Sequence, residues 1–251
     1  MPARDMNDRI QGAILGSLVG DALGVGPHWY YDLDKLRQDY GEWIDDYAAP
    51  RKGRYHEGLE PGQWSQTGQV VVLLLESMAE RGGFDMGDFT ARLDGLLQDL
   101  DGTPKSGRYT DAAMRHVWSR RVDQGADWGP DGSGCASWAD TAEAAIRAVV
   151  PAAALAGDFA AAAEALQGCI RITHKDPFVA GQSMGYGLTV LALVRGEGLD
   201  MVKNRVHGLA RRAGVDFSLP APDGGTAGYF DAVLQPGFAA AAAADPAVRI
   251  E

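Results

Sequence analysis

Residues 9–24, RIQGAILGSLVGDALG, show the clearest structural pattern in the chain. Its apolar residues recur at spacings of three and four, the period of an α-helix, and Asn7 or Asp8 can cap its start. Four glycines fall four residues apart and form a ridge without side chains: Gly12, Gly16, Gly20 and Gly24. Because each glycine costs about 1 kcal/mol of helix propensity, the ridge predicts that another backbone or a ligand lies against this helix.

The rest of the chain shows the same helical spacing, and clean alternation is scarce. Alanine-rich stretches at 152–156 and 160–165 indicate close packing of helices, and no linker or repeat of fixed period interrupts the pattern. We therefore predict one all-α domain over residues 1–251 with nine or ten helices. After the first, these are predicted at 33–40, 65–81, from Asp85 or Asp88 to 100, 110–122, 140–156, 159–172, 177–195, 199–213 and 224–244.

The charge of the chain limits its partners. The net charge is −11, and the acidic residues are spread along the sequence while the 23 lysines and arginines form no stripe. Nucleic acids and anionic membranes need a basic surface. The longest apolar stretch, residues 10–27, is broken by five glycines and Asp21, which makes a poor membrane span. We expect a small molecule or another protein as partner, with no nucleic acid and no membrane.

The chain has two cysteines, Cys135 and Cys169, and its first residues, MPARDMNDRI, show no apolar segment after the charges. A secretory leader would need such a segment. We therefore expect free thiols and a cytoplasmic location.

The first helix resembles the opening helix of the ADP-ribosylglycohydrolase family, which ends in Gly-Asp-Ala-Leu-Gly as residues 20–24 do here. Three later stretches are similar to the family in order and spacing. They are WSQTGQVVVLLLESM at 64–78, where the family has a Thr-Asp-Asp-Thr motif leading into a helix, the Ala-Ile-Arg…Pro pattern within 140–156, and Thr-His-Lys-Asp-Pro at 173–177.

This resemblance implies an all-α, multi-helical orthogonal bundle, in whose active members two Mg²⁺ ions hold and polarise the ribose of an ADP-ribosyl group. Mg²⁺ needs hard oxygen ligands, with carboxylates to offset its charge. Here Gln66 and Thr67 occupy the carboxylate positions of the first metal motif, after Ser65. The family's second motif, Asp-x-Asp followed by Thr or Ser, is not found; PDGGT at 222–226 has one carboxylate, and Glu251 ends the chain about where that motif would begin. We therefore name no metal ligand and expect no Mg²⁺ cofactor.

A further departure follows the first helix, where many active members have a glutamate that binds or activates the nucleophile. This chain reads GPHWYYD at 26–32, and its His-Trp pair is similar to a side branch of the family that includes jellyfish lens crystallins and a fish selenoprotein. His28 is a candidate general base, because imidazole titrates near neutral pH. Asp21, the first charge after eleven uncharged residues, is the second candidate catalytic residue.

Eight residues are predicted to bind the ligand. Trp29 and Tyr30 can stack on a base or a sugar. The others stand at family motif positions: Ser65, Gln66, Thr67, Gln69, His174 and Asp176.

Each candidate also has a structural interpretation, which stays open at this point. Asp21 can be a carboxylate that accepts backbone N–H bonds in the following loop, and residues 28–30 can be a packed aromatic loop. Ser65 and Thr67 can be helix N-caps, and Asp176 can cap a helix that a proline opens.

Three function hypotheses follow from the resemblance. The first is a hydrolase of the N- or O-glycosidic bond of an ADP-ribosyl or related ribosyl group. The second is a pseudoenzyme that binds a nucleotide-like ligand without turnover, and the third is a structural, crystallin-like role. The expected ligand is a small or ADP-ribosyl-type molecule, and whether the chain forms an oligomer stays open.

Overall fold

Helices make up the architecture of the protein. The computed structural model describes residues 5–100, 110–199 and 201–214. Within these ranges there are ten α-helices, one π-helical turn and no β-strand, which confirms the all-α prediction. The helices are α1 (Met6–Val25), α2 (Leu33–Tyr40), α3 (Gln66–Arg81), α4 (Met86–Asp99), α5 (Ala112–Trp118), α6 (Glu143–Arg147), α7 (Val149–Ala154), α8 (Phe159–Arg171), α9 (Pro177–Val194) and α10 (Val202–Arg212), and the π-helical turn is Ser119–Asp123.

The first helix begins earlier than the sequence predicts. Asp5 is its N-cap and accepts the Asp8 N–H at 2.8 Å, so the prediction of Asn7 or Asp8 as the cap is wrong. An N-cap residue needs an extended backbone. Asp5 has that conformation, with φ −72° and ψ 174°, whereas Asp8 already lies in the first turn.

The helix predicted over 140–156 is divided into α6 and α7. Pro151 has no N–H to donate to the carbonyl of Arg147, four residues earlier, and its ring crowds that carbonyl. The helix therefore breaks between Arg147 and Val149. The helix predicted at 224–244 and the motif candidate at 222–226 lie outside the described residues.

The core forms around α9, which packs against α1, α6, α7, α8 and α10. The alanine-rich helices lie close together, as predicted, and Ala152, Ala153, Ala162 and Ala165 are buried. Both cysteines are free and buried, in agreement with the prediction. By length and composition α9 could cross a membrane, but most of it is buried inside the protein, as in a core helix.

The glycine ridge of α1 lies on the outer side of that helix. A Cβ at any of its four glycines would meet no atom within 4 Å among the described residues. Leu15 and Val19, on the same helix, are also exposed. Among the described residues, therefore, no other backbone covers the ridge, and a ligand against it stays a prediction.

Candidate functional site

Asp21 and Ser65 form the first group of predicted site residues that the structure brings together. Ser65, the N-cap of α3, donates its N–H to Asp21 Oδ2 at 2.8 Å and its hydroxyl to Asp21 Oδ1 at 2.6 Å. Ser65 Oγ also accepts the Gly68 N–H at 3.2 Å. Asp21 and Ser65 thus close the N-terminus of α3 together, where the helix dipole favours a negative charge.

Gly68 provides the space that the Asp21 carboxylate occupies. A Cβ at this position would lie 2.7 Å from Asp21 Cγ and 2.9 Å from Trp64 Cβ, and closer still to Asp21 Oδ2. The family motif has a threonine at this fourth position, so Asp21 fills room that a side chain would take. Burial raises the pKa of Asp21, and the hydrogen bonds from Ser65 and from the Gly68 N–H oppose that shift.

Replacing Gly68 by alanine is expected to lower the free energy of unfolding by about 1–3 kcal/mol, because the added methyl displaces the Asp21 carboxylate. The matched control is Gly16→Ala in α1, where no atom lies within 4 Å of the new methyl. That control should gain up to about 1 kcal/mol of helix propensity. Urea denaturation measures both; equal effects would contradict the packing of Asp21 on Gly68.

The other motif residues of α3 differ in burial. Gln66 is 4% exposed, and its Oε1 accepts the N–H of Asp111, the N-cap of α5, at 3.4 Å. Gln69 donates to the Trp64 carbonyl at 3.5 Å, and Thr67 is half-buried. Gln66 therefore points into the interior, while Thr67 and Gln69 remain partly accessible.

The family implies Mg²⁺ at the start of α3, but the described donor set there does not fit this ion. Mg²⁺ needs carboxylates in a nearly octahedral arrangement. Both oxygens of Asp21 are engaged by Ser65, and the next motif side chains are neutral. In the described ranges, no three His, Cys, Asp or Glu side chains form a group that could hold a metal. The expectation that the chain needs no metal cofactor nevertheless stays a prediction.

His28 pairs with a second histidine that sequence reasoning misses. His56 Nε2 and His28 Nδ1 are 3.0 Å apart, and their ring centroids are 4.6 Å apart. Burial lowers the pKa of His28, and the Arg54 charge adds to this effect. Burial, followed by the charge on His28, lowers the pKa of His56 to about 4. Both rings are therefore neutral at neutral pH, and the bond between them contains one hydrogen atom.

The backbone around this pair is strained. Trp29 has a φ of 57° and His56 a φ of 61°, and they are the non-glycine residues of the described chain with positive φ. Such conformations cost of order 1–3 kcal/mol each and cluster at functional sites. Arg54 supports the first of them, because it donates to the Trp29 carbonyl at 2.5 Å and its guanidinium lies 3.8 Å from the centroid of the Tyr30 ring.

Acid is expected to destabilise the protein through His56. Its folded pKa, about 4, lies below its ordinary value of 6.5. Its contribution to stability is therefore complete above the ordinary value and is lost as the pH falls through the folded pKa. Between about pH 7 and pH 5 the parent chain should lose roughly 1–2 kcal/mol more than His56→Gln, which lacks the titrating group. Urea denaturation at both pH values tests this, and parallel losses would contradict it.

The aromatic side chains near His28 form two groups. One is exposed to solvent, and the other is held by contacts with neighbouring residues. Trp29 is 49% exposed and stacks on Tyr31, with ring centroids 6.3 Å apart and planes at 28°. Tyr55 meets the edge of Trp29 at 4.8 Å. Tyr30 donates its hydroxyl to Asp39 Oδ2 at 2.7 Å. Tyr31, absent from the predicted site, is 85% exposed, so Trp29 and Tyr31 form an accessible aromatic surface beside His28.

His174 and Asp176 lie in another region, before α9. Asp176 is the N-cap of α9 and accepts the Val179 N–H at 3.0 Å, which confirms its capping role. His174 is 1% exposed; its ring nitrogens lie 3.1 Å from Thr141 Oγ1 and 2.8 Å from Thr173 Oγ1. Burial lowers the pKa of His174 to about 3. It is therefore neutral and hydrogen-bonded in the interior.

Arg147 anchors this turn from α6. Its Nε and Nη2 donate to the Cys169 carbonyl at 3.1 and 3.0 Å, and Nη2 also bonds Thr173 Oγ1 and reaches the Ile170 carbonyl at 3.5 Å. The two carbonyls belong to the last turn of α8, where carbonyls lack partners within the helix. Arg147 therefore joins two of the stretches that resemble the family, Ala-Ile-Arg and Thr-His-Lys-Asp-Pro.

The predicted residues thus occupy three places: the start of α3 with Asp21, the loop with His28, and the turn with His174. Two cavities of the described chain can be compared with these places. The first overlaps only the turn with His174, and the second overlaps none of the three. One of about 580 Å³ includes His174 and Pro177, and one of about 530 Å³ lies between α1 and α9. Neither cavity is lined by Asp21, by His28 or by the residues at the start of α3.

Comparison with known proteins adds relatives to this geometry. The chain is 32% identical to an uncharacterized protein of Archaeoglobus fulgidus over 119 residues, which are 46% of this chain and 37% of that protein. It is 30% identical to crystallin J1A of Tripedalia cystophora over 95 residues, which are 34% of this chain and 27% of the crystallin. The chain thus matches well under half the length of each of these two relatives.

A third relative extends along most of the chain. The ADP-ribosyl-[dinitrogen reductase] glycohydrolase of Rhodospirillum rubrum is 26% identical over 241 residues, which cover 94% of this chain and 74% of that enzyme. A solved structure titled ADP-ribosylglycohydrolase-related protein complex has the same fold, with a TM-score of 0.56 and 18% identity, over 95% of this chain and 75% of that one.

The family model of ADP-ribosylglycohydrolase matches residues 2–246. The resemblance that begins with the Gly-Asp-Ala-Leu-Gly helix is thereby confirmed, and the crystallin similarity agrees with the His-Trp branch. On these matches, the chain belongs to the ADP-ribosylglycohydrolase family.

Proposed function

We propose that this protein hydrolyses the N- or O-glycosidic bond of an ADP-ribosyl or related ribosyl group. The observation that carries the proposal is His28, a neutral, hydrogen-bonded imidazole at the position where many active family members have a glutamate. A neutral imidazole can accept a proton near pH 7, as a general base must. Membership of a glycohydrolase family supports the reaction class.

In the proposed reaction His28 accepts a proton from the attacking water. The water oxygen bonds to the anomeric carbon of the ribose while the glycosidic bond breaks, and its electron pair passes to the leaving atom. The leaving group takes up a proton from solvent water, and His28 returns its own proton to solvent after the bond has broken, so that the protons balance. Asp21, already a candidate for catalysis, is held rigidly at the start of α3 by Ser65 and would contribute negative charge near the oxocarbenium-like centre.

We assign ligand-binding roles to residues whose side chains are accessible to solvent. Trp29 and Tyr31 offer accessible ring faces on which a base can stack. Thr67 and Gln69 are neutral hydrogen-bonding groups at the start of α3, suited to ribose hydroxyls. With a net charge of −11, the partner remains a small or ADP-ribosyl-type ligand, and a cytoplasmic location remains part of the proposal.

A second candidate function is a pseudoenzyme that binds such a ligand without turnover. It is favoured by Gln66 and Thr67 at the carboxylate positions of the family's metal motif and by the engagement of Asp21 with Ser65. The similarity to crystallin J1A keeps a structural role as a third candidate.

One experiment separates the three. The purified chain is incubated with a mono-ADP-ribosylated protein, with Mg²⁺ or with EDTA, and released ADP-ribose is quantified; thermal unfolding is followed with and without added ADP-ribose. Release of ADP-ribose supports the hydrolase. Thermal stabilisation by ADP-ribose without release supports the pseudoenzyme and overturns the proposal. No response to ADP-ribose, together with a stable oligomer, supports the structural role.

A further inference from the structure

His56 combines features that simple packing does not explain. It is 1% exposed, its backbone lies in the left-handed region with a φ of 61°, and its Nε2 lies 3.0 Å from Nδ1 of His28. A non-glycine residue takes that backbone conformation at a cost, and burying an imidazole requires a hydrogen bond. Both costs are incurred at a residue whose ring contacts His28, 28 positions away in the sequence.

The surroundings restrict His28 further. Its ring meets Trp29 at 5.5 Å and Tyr55 at 5.9 Å between centroids. Burial and the positive charge of Arg54 both oppose its protonation. A base in this position needs a partner that stabilises its protonated form, and a neutral imidazole that accepts a hydrogen bond is such a partner.

The direction of the hydrogen bond follows from this requirement. If His56 Nε2 donated to His28 Nδ1, the basic lone pair of His28 would be used in the pair and its Nε2 would carry the hydrogen. If His28 Nδ1 donates to His56 Nε2, the lone pair lies on His28 Nε2. Protonation there then strengthens the existing bond, because the donor becomes part of an imidazolium.

We propose that His56 is a positioning residue that accepts the Nδ1–H of His28 and holds that ring in one tautomer and orientation for proton transfer through Nε2. The proton-transfer part rests on the proposed function. The choice of tautomer rests on it as well, because it follows from the role of His28 as a base. The contact between His28 and His56 does not, and the tautomer can be measured in a chain that turns over no substrate.

Two substitutions at position 56 distinguish the effect of side-chain length from the effect of backbone conformation. His56→Asn tolerates a positive φ, but its shorter side chain cannot reach His28. His56→Gln places an amide oxygen near the position of Nε2 and can accept the Nδ1–H, although its backbone is less suited to that φ. Circular dichroism and thermal unfolding first establish that both variants are folded at the temperature of measurement.

The tautomer of His28 is read from the ¹⁵N chemical shifts of selectively labelled histidine, with His28→Gln identifying the resonance. We expect a protonated Nδ1 and an unprotonated Nε2 in the parent chain and in His56→Gln, and a mixture of tautomers in His56→Asn. Release of ADP-ribose should fall by about 10–100-fold in His56→Asn, by analogy with the loss of a partner that orients a metal-ligating histidine. His56→Gln should recover most of it.

A hydrogen on His28 Nε2 in the parent chain would overturn the proposal. So would one tautomer in all three proteins, because His56 would then not determine it. If no protein releases ADP-ribose but the tautomers follow the expected pattern, the proposed hydrolysis fails and the positioning of His28 by His56 stands.

Discussion

Replacing Arg147 by alanine is expected to lower the free energy of unfolding by about 3–5 kcal/mol. The guanidinium is 1% exposed and supplies the donors for the Cys169 carbonyl. Removing it leaves a buried carbonyl unsatisfied, at about 1–3 kcal/mol, and opens a cavity beneath the last turn of α8. Urea denaturation of the variant and the parent chain measures the loss.

The positive charge of Arg147 also affects the pKa of the buried Asp111. Burial raises the pKa of Asp111 to about 7, the negative charge of Glu143 adds to that shift, and the positive charge of Arg147 opposes it. Arg147→Met keeps much of the volume but removes the charge and the donors. It should therefore be nearly as destabilising as Arg147→Ala.

A surface arginine provides the matched control for this prediction. Arg37 forms an ion pair with Asp34 at 3.0 Å, and both side chains are well exposed. Arg37→Ala should change stability by no more than about 0.5 kcal/mol. If Arg147→Ala and Arg37→Ala had similar effects, the assigned role of Arg147 in holding α8 would be wrong.

Replacing His28 by glutamine is expected to reduce the rate of ADP-ribose release by about 10²–10⁴-fold, the usual contribution of a general base. Glutamine keeps a hydrogen-bonding group of similar length, but it cannot accept a proton near neutral pH. Binding of ADP-ribose should change little, because Trp29 and Tyr31 remain. Single-turnover release and a thermal shift with ADP-ribose measure the two effects separately.

His207→Gln in α10 is the control for this substitution, since it replaces a histidine outside the proposed site by the same residue. Its activity should equal that of the parent chain. Equal activity of His28→Gln and the parent chain would remove His28 from the reaction. A loss of ADP-ribose binding as large as the loss of rate would instead assign His28 to binding.

Features of this protein that depend on neighbouring residues can be predicted from its sequence. Ser65, Asp85 and Asp176 are the N-caps of α3, α4 and α9, because a cap bonds to backbone groups only two or three residues away. The bounds predicted for α2, residues 33–40, agree with the structure, in which Asp32 caps the start of the helix and Gly41 follows its last turn. The predictions are wrong where two local signals compete. Asp5 and Asp8 are both residues that can cap a helix, and Pro151 lies within an otherwise helical pattern.

The partners of the candidate site residues could not be read in this way. Asp21 meets Ser65 44 positions later, His28 meets His56 28 positions later, and Arg147 meets Cys169 22 positions later. Contacts over these separations follow neither the helix period nor the strand period, so no pattern in the sequence predicts them. The one local hint for His56 is its residue type, since histidine is among the residues enriched at positive φ.

The helical architecture, most helix starts and the family can be predicted from the sequence, because periodicity, capping and the Gly-Asp-Ala-Leu-Gly motif depend on residues that are close together in the chain. The chemical state of the candidate groups, in contrast, depends on the tertiary structure. Burial lowers the pKa of His28 and raises that of Asp21, and helix packing sets which lone pairs are already engaged. Both depend on which distant residues lie within a few ångströms, and folding alone brings those residues together.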